Sequence, residues 1–385
     1  MLTYSCVFGG VNLLIEIYQM ESVGEEVRIT LEAVCDAFSS LLWDIEYFQC
    51  GQFEVYIAAT AQNVSVFQTG RLIGRSDDKK HYGLIESVQL DTDVENGDYL
   101  TVTGRFLMCL LSRRIIYPTL YIKEQTSYGE IIKTAIQQNC LQSGARLLPG
   151  LQIGEIAGDC WQQETHLQIS YANLMEWIYK LCELVGGTAN IQLVETAPNS
   201  RMFQMQFTLS EGTDRSILQD TVPHVIFSDT YNNLLTFSYH KDCAAQQNAA
   251  YVFGAEKGEE RKQVFCSAAP EPEHLERYEV YVDARDLSEE TQNEAGESIL
   301  IPEDEYLKML EERGMENLLP VTEISESTIA ASSLQYQYQK DYFVGDYVTV
   351  RQARFGLSQE RMRLTGMIES FDQNGQNFTP TFSGG

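Results

Sequence analysis

Between Phe38 and Ala59 the stretch SLLWDIEYFQCGQFEVYIAA reads as two strands around Gln49-Cys50-Gly51. Phe53, Val55 and Ile57 alternate there with Glu54 and Tyr56. A period of two with one apolar and one polar face predicts an antiparallel sheet, buried on one side and wet on the other. The same rhythm predicts strands over Arg71 to Arg75, Tyr82 to Leu90 and Tyr99 to Gly104, with turns at Ser76 to Lys80 and Asp91 to Gly97. Short strands at such spacing fit a β-barrel or sandwich.

After Tyr117-Pro118 the period becomes 3.6. Ser127-Tyr128-Gly129-Glu130 has the form of a capping box, and Tyr128, Ile131, Ile132, Ala135 and Ile136 form an apolar stripe, so a helix is predicted from Tyr128 to about Asn139. A second follows Ser170, with Leu174, Trp177, Ile178, Leu181, Cys182 and Val185 on one face and Gly186-Gly187 as its stop. Alternation returns at Phe203, Met205, Phe207 and Leu209, and strands joined by polar turns are predicted through Val225 to Val252 and at Tyr278 to Val282. A third helix is predicted from Pro302 to about Leu319, because Pro at the first turn beside Glu303, Asp304 and Glu305 favours a helix start. From Tyr342 to Phe382 the strand pattern seen near residue 80 comes back.

That return extends to the letters. Gly83-Leu84-Ile85-Glu86-Ser87 followed by Asn96-Gly97 is matched by Gly366-Met367-Ile368-Glu369-Ser370 followed by Asn374-Gly375. Asn-Gly supplies the positive φ angles of a tight hairpin, and self-similarity on this scale marks repeated architecture. The chain is therefore expected to be α+β, mainly β. A first barrel is expected over 1–118, completed by about 201–229, then a helical α/β insert over 119–200, then a second barrel over 230–385 with an acidic helical insert at about 286–320.

Composition narrows the function. At 385 residues, 44% apolar, with 21 Tyr and 17 Phe against 9 Pro, the chain can bury two or three cores. Its net charge is −28, from 27 basic and 55 acidic residues, and between Ala255 and Pro320 there are 19 acidic against 7 basic residues. Such a field repels nucleic-acid phosphates. The basic cluster Arg105, Arg113 and Arg114 reads as strand-end arginines pairing with nearby carboxylates. No apolar window approaches the length of a membrane span, and Met1 to Met20 lacks the basic start of a signal peptide, so a soluble protein made inside the cell is expected. Nine cysteines with no CxxC pair read as buried thiols of a reducing compartment.

Candidate chemistry is sparse. His81, His166, His224, His240 and His274 are scattered without zinc spacing. Asp91 to Asn96 begins like a calcium loop, yet Asn96 stands where glycine is needed and Val102 where a bidentate glutamate is needed, so a turn is expected. No nucleophile elbow, phosphate loop or dinucleotide fingerprint occurs. Trp43, Tyr47 and Phe48 could stack on a sugar, but strand spacing favours core packing. No catalytic, cofactor or metal residue is expected.

Several phrases together resemble the tail-hub or baseplate-hub proteins of long-tailed bacteriophages, of the siphovirus tail-protein kind. They are SLLWDIEYFQCGQFEVYIAA, LTVTGRFLMCLLSRRII at Leu100 to Ile116, NLLTFSYHKD at Asn233 to Asp242, RYEVYVDARDLS at Arg277 to Ser288 and YFVGDYVTV at Tyr342 to Val350. The positions carrying the motif, read as structural, are Trp43, Gly51, Gly83, Glu86, Gly104, Arg105, Arg113, Arg114, Asp283, Arg285, Gly345, Gly366 and Glu369. The resemblance implies two tube-like barrels per subunit and a homotrimer whose six barrels adapt a six-fold tail tube to a three-fold tip, with DNA passing through the lumen. It implies a tail-tube or distal tail protein above, tip or fibre proteins below, a tape-measure protein as a further neighbour, and a place at the virion tail tip after assembly in the host cytoplasm. Met20 to Asp36 is longer and more acidic than the expected lead-in and reads as an extra loop reaching a neighbour. The alternative is a host-surface tail protein that acts on glycans, or binds a receptor through the helical insert or the acidic segment.

Overall fold

The computed structural model describes residues 13–95, 97–142, 144–198, 200–255, 261–292, 298–329, 335–373 and 375–384. The chain opens with β1 (Ile15–Val23), β2 (Glu26–Cys35), β3 (Ser40–Glu46), β4 (Gln52–Ala58), α1 (Ala61–Val66), β5 (Leu72–Arg75), β6 (Gly83–Asp93) and β7 (Gly97–Phe106). There follow β8 (Leu120–Ser127), α2 (Tyr128–Ile136), β9 (Leu151–Ile156), β10 (Glu164–Ile169), α3 (Leu174–Val185), β11 (Gly187–Glu195) and β12 (Met202–Glu211). Then come β13 (Ile226–Ser228), β14 (Leu234–Asp242), β15 (Ala249–Phe253), β16 (Gln263–Ser267), β17 (Glu279–Asp283), β18 (Glu290–Gln292), β19 (Ser298–Leu300) and α4 (Glu303–Met315). The chain closes with β20 (Thr322–Ile329), β21 (Tyr347–Gln352), β22 (Leu357–Asp372) and β23 (Gly375–Gly384).

Sixteen strands share one sheet. Its main path runs β11, β12, β2, β1, β5, β6, β7, β4, β3, β22, β23, β20, β14, with β9 on β12 and β21 linking β22 to β13. Among the described residues the path stays open between β11 and β14. Two stretches of it have the same order: β3, β4, β7, β6, β5, β1 in the first half and β14, β20, β23, β22, β21, β13 in the second. The last pairing differs, since β1 runs antiparallel to β5 while β13 runs parallel to β21.

The correspondence holds residue by residue. Ile85 accepts from the Gly70 N–H at 2.8 Å and donates to the Arg71 carbonyl at 2.9 Å, as Leu364 does with Gly345 and Asp346 at 2.7 and 2.9 Å. Both glycines hold positive φ, +86° and +104°. A bulge follows each pivot, at Ile85/Ser87 and at Leu364/Gly366, and each hairpin closes eight residues past it, at Asp93 (93 − 85) opposite Gly97 and at Asp372 (372 − 364) opposite Gly375. One row of partners crosses four strands in each half. Ile85, Gly104, Phe53 and Trp43 correspond to Leu364, Phe382, Ser325 and Tyr239. Gly366 thus corresponds to Ser87, four residues past Gly83. The Gly-x-Ile-Glu-Ser phrases do not superpose, whereas Gly97 and Gly375 do, with φ of +90° and +124°. Asn96 and Asn374 lie outside the described residues.

Period-two alternation puts Ile15, Leu41, Trp43, Val55, Ile73 and Val102 in the core of the first half and Phe227, Val348, Leu364, Met367 and Phe382 in that of the second. The helices form as their stripes predict. Ser127 and Asn173 cap α2 and α3 by accepting from the N–H groups of Glu130 and Glu176, and Gly186 ends α3 at φ +80°. Ile131, Trp161, Ile178, Cys182 and Phe207 share a buried cluster. The segment between β14 and β20 has its own small core, with α4 on a three-stranded sheet of β16, β15 and β17 and Tyr306 and Leu310 at its centre, and it rests on β8 and β10 through Tyr121 and through the His166 N–H bonded to Glu312 at 3.1 Å. Helix α4 stops at Met315, short of Leu319, because Leu319 exchanges backbone hydrogen bonds with Gln247 at 2.8 and 2.9 Å and shuts the base of this lobe. Met20 to Asp36 is no loop: β1 and β2 pair as a hairpin through Val23 and Glu26, turning at Gly24 with φ +65°. Asp91 to Glu95 form a strand end and turn, in which Asp93 accepts from the Glu95 N–H at 2.7 Å, and Asn96 of the calcium-loop comparison lies outside the described residues.

Candidate functional site

The two halves meet where β3 pairs antiparallel with β22, from Glu46 opposite Gly366 to Leu41 opposite Phe371. In this register Trp43 faces Glu369, and β5 ends beside them at Arg75. The Arg75 guanidinium is 2% exposed, lies 2.9 Å from Glu369 and 2.7 Å from Asp77, and sits over the Phe371 ring at 4.7 Å and the Trp43 ring at 5.5 Å. Trp43 donates its indole N–H to Asp78 at 3.1 Å. Asp78 also accepts from the Lys80 N–H at 2.9 Å and contacts His81 Nδ1 at 2.7 Å.

Burial alone would push the Asp78 carboxyl up, but His81, the Lys80 N–H and the Arg75 charge hold it well below the usual carboxylate range. Glu369 is raised by burial, with Arg75 opposing. One Arg75 Nη and one Glu369 Oε have no hydrogen-bond partner. A pair removed from water this completely adds little net stability but defines one register, and losing either member leaves an uncompensated charge.

Trp43, Gly51, Gly83 and Gly104 come together around two rings. Trp43 lies 4.9 Å from Phe106 and 5.9 Å from Phe53. A Cβ on Gly51 would reach Phe106 at 2.7 Å, one on Gly83 would reach Phe53 at 2.4 Å, and one on Gly104 would sit 1.9 Å from the Leu84 carbonyl oxygen. Only a hydrogen fits at Gly104, because its neighbour is backbone and cannot swing aside. Glu86 and Arg105 form a two-pronged pair at 2.7 and 2.8 Å on the outer face. Gly366 lies in the seam itself, and Gly345 packs on the Tyr47 ring while its carbonyl accepts from Arg363 at 3.0 Å.

The remaining motif residues lie elsewhere. Arg113 ends a short 3-10 helix and is exposed. Arg114 donates to the carbonyls of Arg146 and Arg113 at 3.0 and 3.1 Å, so among the described residues Arg105 alone of the three clustered arginines is ion-paired with the expected carboxylate. Asp283 binds Arg285 at 2.8 Å and Arg261 at 3.0 Å, while Asp286 holds Arg313 of α4 through two 3.0 Å bonds, so this motif braces the acidic lobe. Sequence reasoning passed over Arg75 and Asp78 as strand end and turn. The signal was Arg-Ser-Asp-Asp, a basic residue closing an apolar strand with two acids behind it.

The outer face of the seam carries a groove of about 370 Å³ lined by Leu42, Asp44, Glu54, Glu86, Arg105 and Ile368. Among its acids, burial raises the Asp44 carboxyl while Arg105 holds Glu86 below the usual carboxylate range, and Glu46, two residues along β3 from Asp44, is not part of its lining. Burial and the nearby Asp44 push Glu46 up to about 7. Burial likewise pushes the Cys50 and Cys160 thiols up to about 12 and Cys109 and Cys140 up to about 11, away from nucleophilic thiolate. Among the described residues no cluster of three His, Cys, Asp or Glu side chains could hold a metal, and no helix is long and apolar enough to cross a membrane.

The fold is that of phage tail proteins. It is similar over most of its length to the tail protein from Neisseria meningitidis MC58 (11% identity, TM-score 0.56, 97% of each chain). It is also similar to the 43 kDa tail protein of prophage MuSo2 from Shewanella oneidensis (11%, 0.53, 95% of this chain and 98% of that one). A third is prophage tail protein gp18 from Listeria monocytogenes EGD-e (10%, 0.53, 97% and 95%). Residues 22–382 match the family model described as Siphovirus ReqiPepy6 Gp37-like protein, and the chain belongs to that family of siphovirus tail proteins. No curated protein sequence matches it.

Proposed function

We propose that this chain is the hub of a phage tail tip or baseplate, a structural protein without catalytic residues. Three copies form a ring whose six sheet halves meet the six-fold tail tube on one side and a three-fold tip on the other, and DNA leaves through the central channel. The observation supporting this most is that two halves with one strand order stand edge to edge in a single sheet, joined by β3 and β22. A closed ring built from doubled subunits matches a ring with twice as many single subunits. The net charge of −28 favours passage of DNA without adhesion. Tail-tube or distal tail proteins dock above, tip or fibre proteins below, and a tape-measure protein is a further neighbour.

The glycan-active alternative needs two carboxylates facing each other across a cleft, and no observation favours it. The experiment that tests the proposal is light scattering on the purified chain, alone and with its tail neighbours. A trimer in either setting supports the hub, and a monomer in both rejects it. Cell-wall fragments incubated with the chain should release no reducing sugar.

A further inference from the structure

Each of the two strands of the seam inside the chain has a counterpart whose matching edge is bare among the described residues. Strand β22 pairs with β21 through Leu357 to Arg363 and, beyond its pivot at Leu364, with β3 through Gly366 to Phe371. Its counterpart β6 pairs with β5 only at Gly83 and Leu84. Beyond its own pivot at Ile85, Ser87 to Thr92 pair with β7 alone among the described residues, and all but half-buried Val88 are exposed. The counterpart of β3 is β14, which lies at the end of the sheet with β20 as its one neighbour among the described residues. The chain therefore carries both sides of a second copy of its own internal seam, and neither side is covered by the described residues.

We infer that β6 of one copy pairs antiparallel with β14 of the next, repeating between subunits the join that β22 and β3 make within one. This rests on the hub reading and adds to it the strands that close the ring. The register follows from the equivalences above. Trp43 corresponds to Tyr239, and Glu369, five residues past the Leu364 pivot, corresponds to Leu90, five past Ile85. Because Glu369 faces Trp43, Leu90 faces Tyr239 of the neighbour, Ser87 faces Asp242, and Thr92 faces Phe237. Leu90 is 52% exposed in the single chain, and it would stand against Tyr239 where Glu369 stands against Trp43 in the inner seam. A strand edge left bare presents a row of unpaired N–H and C=O groups that templates pairing with another chain.

Paired cysteines test the register. In a Cys243→Ser background, Leu90→Cys with Tyr239→Cys should yield disulfide-linked rings of three on oxidation of the assembled chain. The shifted pair Leu90→Cys with Lys241→Cys should give at least tenfold less product. Amide exchange on the unsubstituted chain should slow at least tenfold across Ser87 to Thr92 and Phe237 to Asp242 on assembly. A trimer in which both segments exchange as in the monomer, or in which the two cysteine pairs link equally, overturns the strand pairing and leaves the hub standing. A chain that stays monomeric even within assembled tails overturns both.

Discussion

Replacing Arg75 by Met removes the one cation paired with Glu369 among the described residues, and the Glu369 side chain is 3% exposed where it meets β3. Breaking one member of a buried ion pair costs about 3–5 kcal/mol, because the survivor stays out of water without a counter-charge. Glu369→Leu should cost less, about 1.5–3 kcal/mol for a lost charged hydrogen bond, since Asp77 remains 2.7 Å from Arg75 and is itself partly solvated. In the double variant neither charge is stranded, and Met fills the slot between the Trp43 and Phe371 rings, so the loss should fall to within about 1.5 kcal/mol of the parent. The coupling between the two sites is then about 3 kcal/mol or more. Several lobes make a single unfolding transition a poor gauge, so the assay is amide exchange across Leu41 to Glu46 and Gly366 to Phe371, which reports the opening of this seam. Single variants within about 0.5 kcal/mol of the parent, or a double variant losing the sum of the singles, would refute the claim that this pair fixes the seam.

Gly104→Ala forces a Cβ to within 1.9 Å of the Leu84 carbonyl, and the variant should be insoluble or lose its cooperative melt, whereas Gly24→Ala, at a turn with nothing within 4 Å, should remain soluble despite its positive φ; expression and calorimetry separate the two. Trp43→Phe removes one hydrogen-bond donor to buried Asp78 and should cost about 1–3 kcal/mol in the same exchange assay. Burial pushes Glu46 up to about 7 in the folded chain, whereas it ionises near the ordinary carboxylate value of 4.5 when unfolded, so its contribution to stability falls as pH rises from about 4.5 to 7. Glu46→Gln should remove that slope. A pH series of melts on both proteins checks this, and parallel curves would contradict it.

Much of the fold was legible because periodicity is a local signal. The 3.6-period stripe at Leu174 to Val185 and the capping box at Ser127 gave helices within a few residues, and Phe53, Val55 and Ile57 gave a strand with the correct buried face. The repeat was detected through a phrase that is four residues out of register. What the halves share is a pivot, a bulge and a row of partners, and quite different letters satisfy each: Trp43 and Tyr239, Phe53 and Ser325, Gly104 and Phe382. The hairpin of β1 and β2 was read as a loop from its length and acidity, and exposed Leu31 and Val34 interrupt the alternation that would have marked the strands. The Arg75 cluster was hidden for another reason: its members lie 294 residues apart, and only the pairing of β3 with β22 brings them into contact.

Electron microscopy of the assembled chain tests the central claim most directly. The account predicts a ring of three subunits around an open channel, its six sheet halves spaced at near-equal angles with a β3 and β22 seam alternating with a seam between copies. A ring whose halves do not repeat about the axis, or a subunit count other than three, would contradict it.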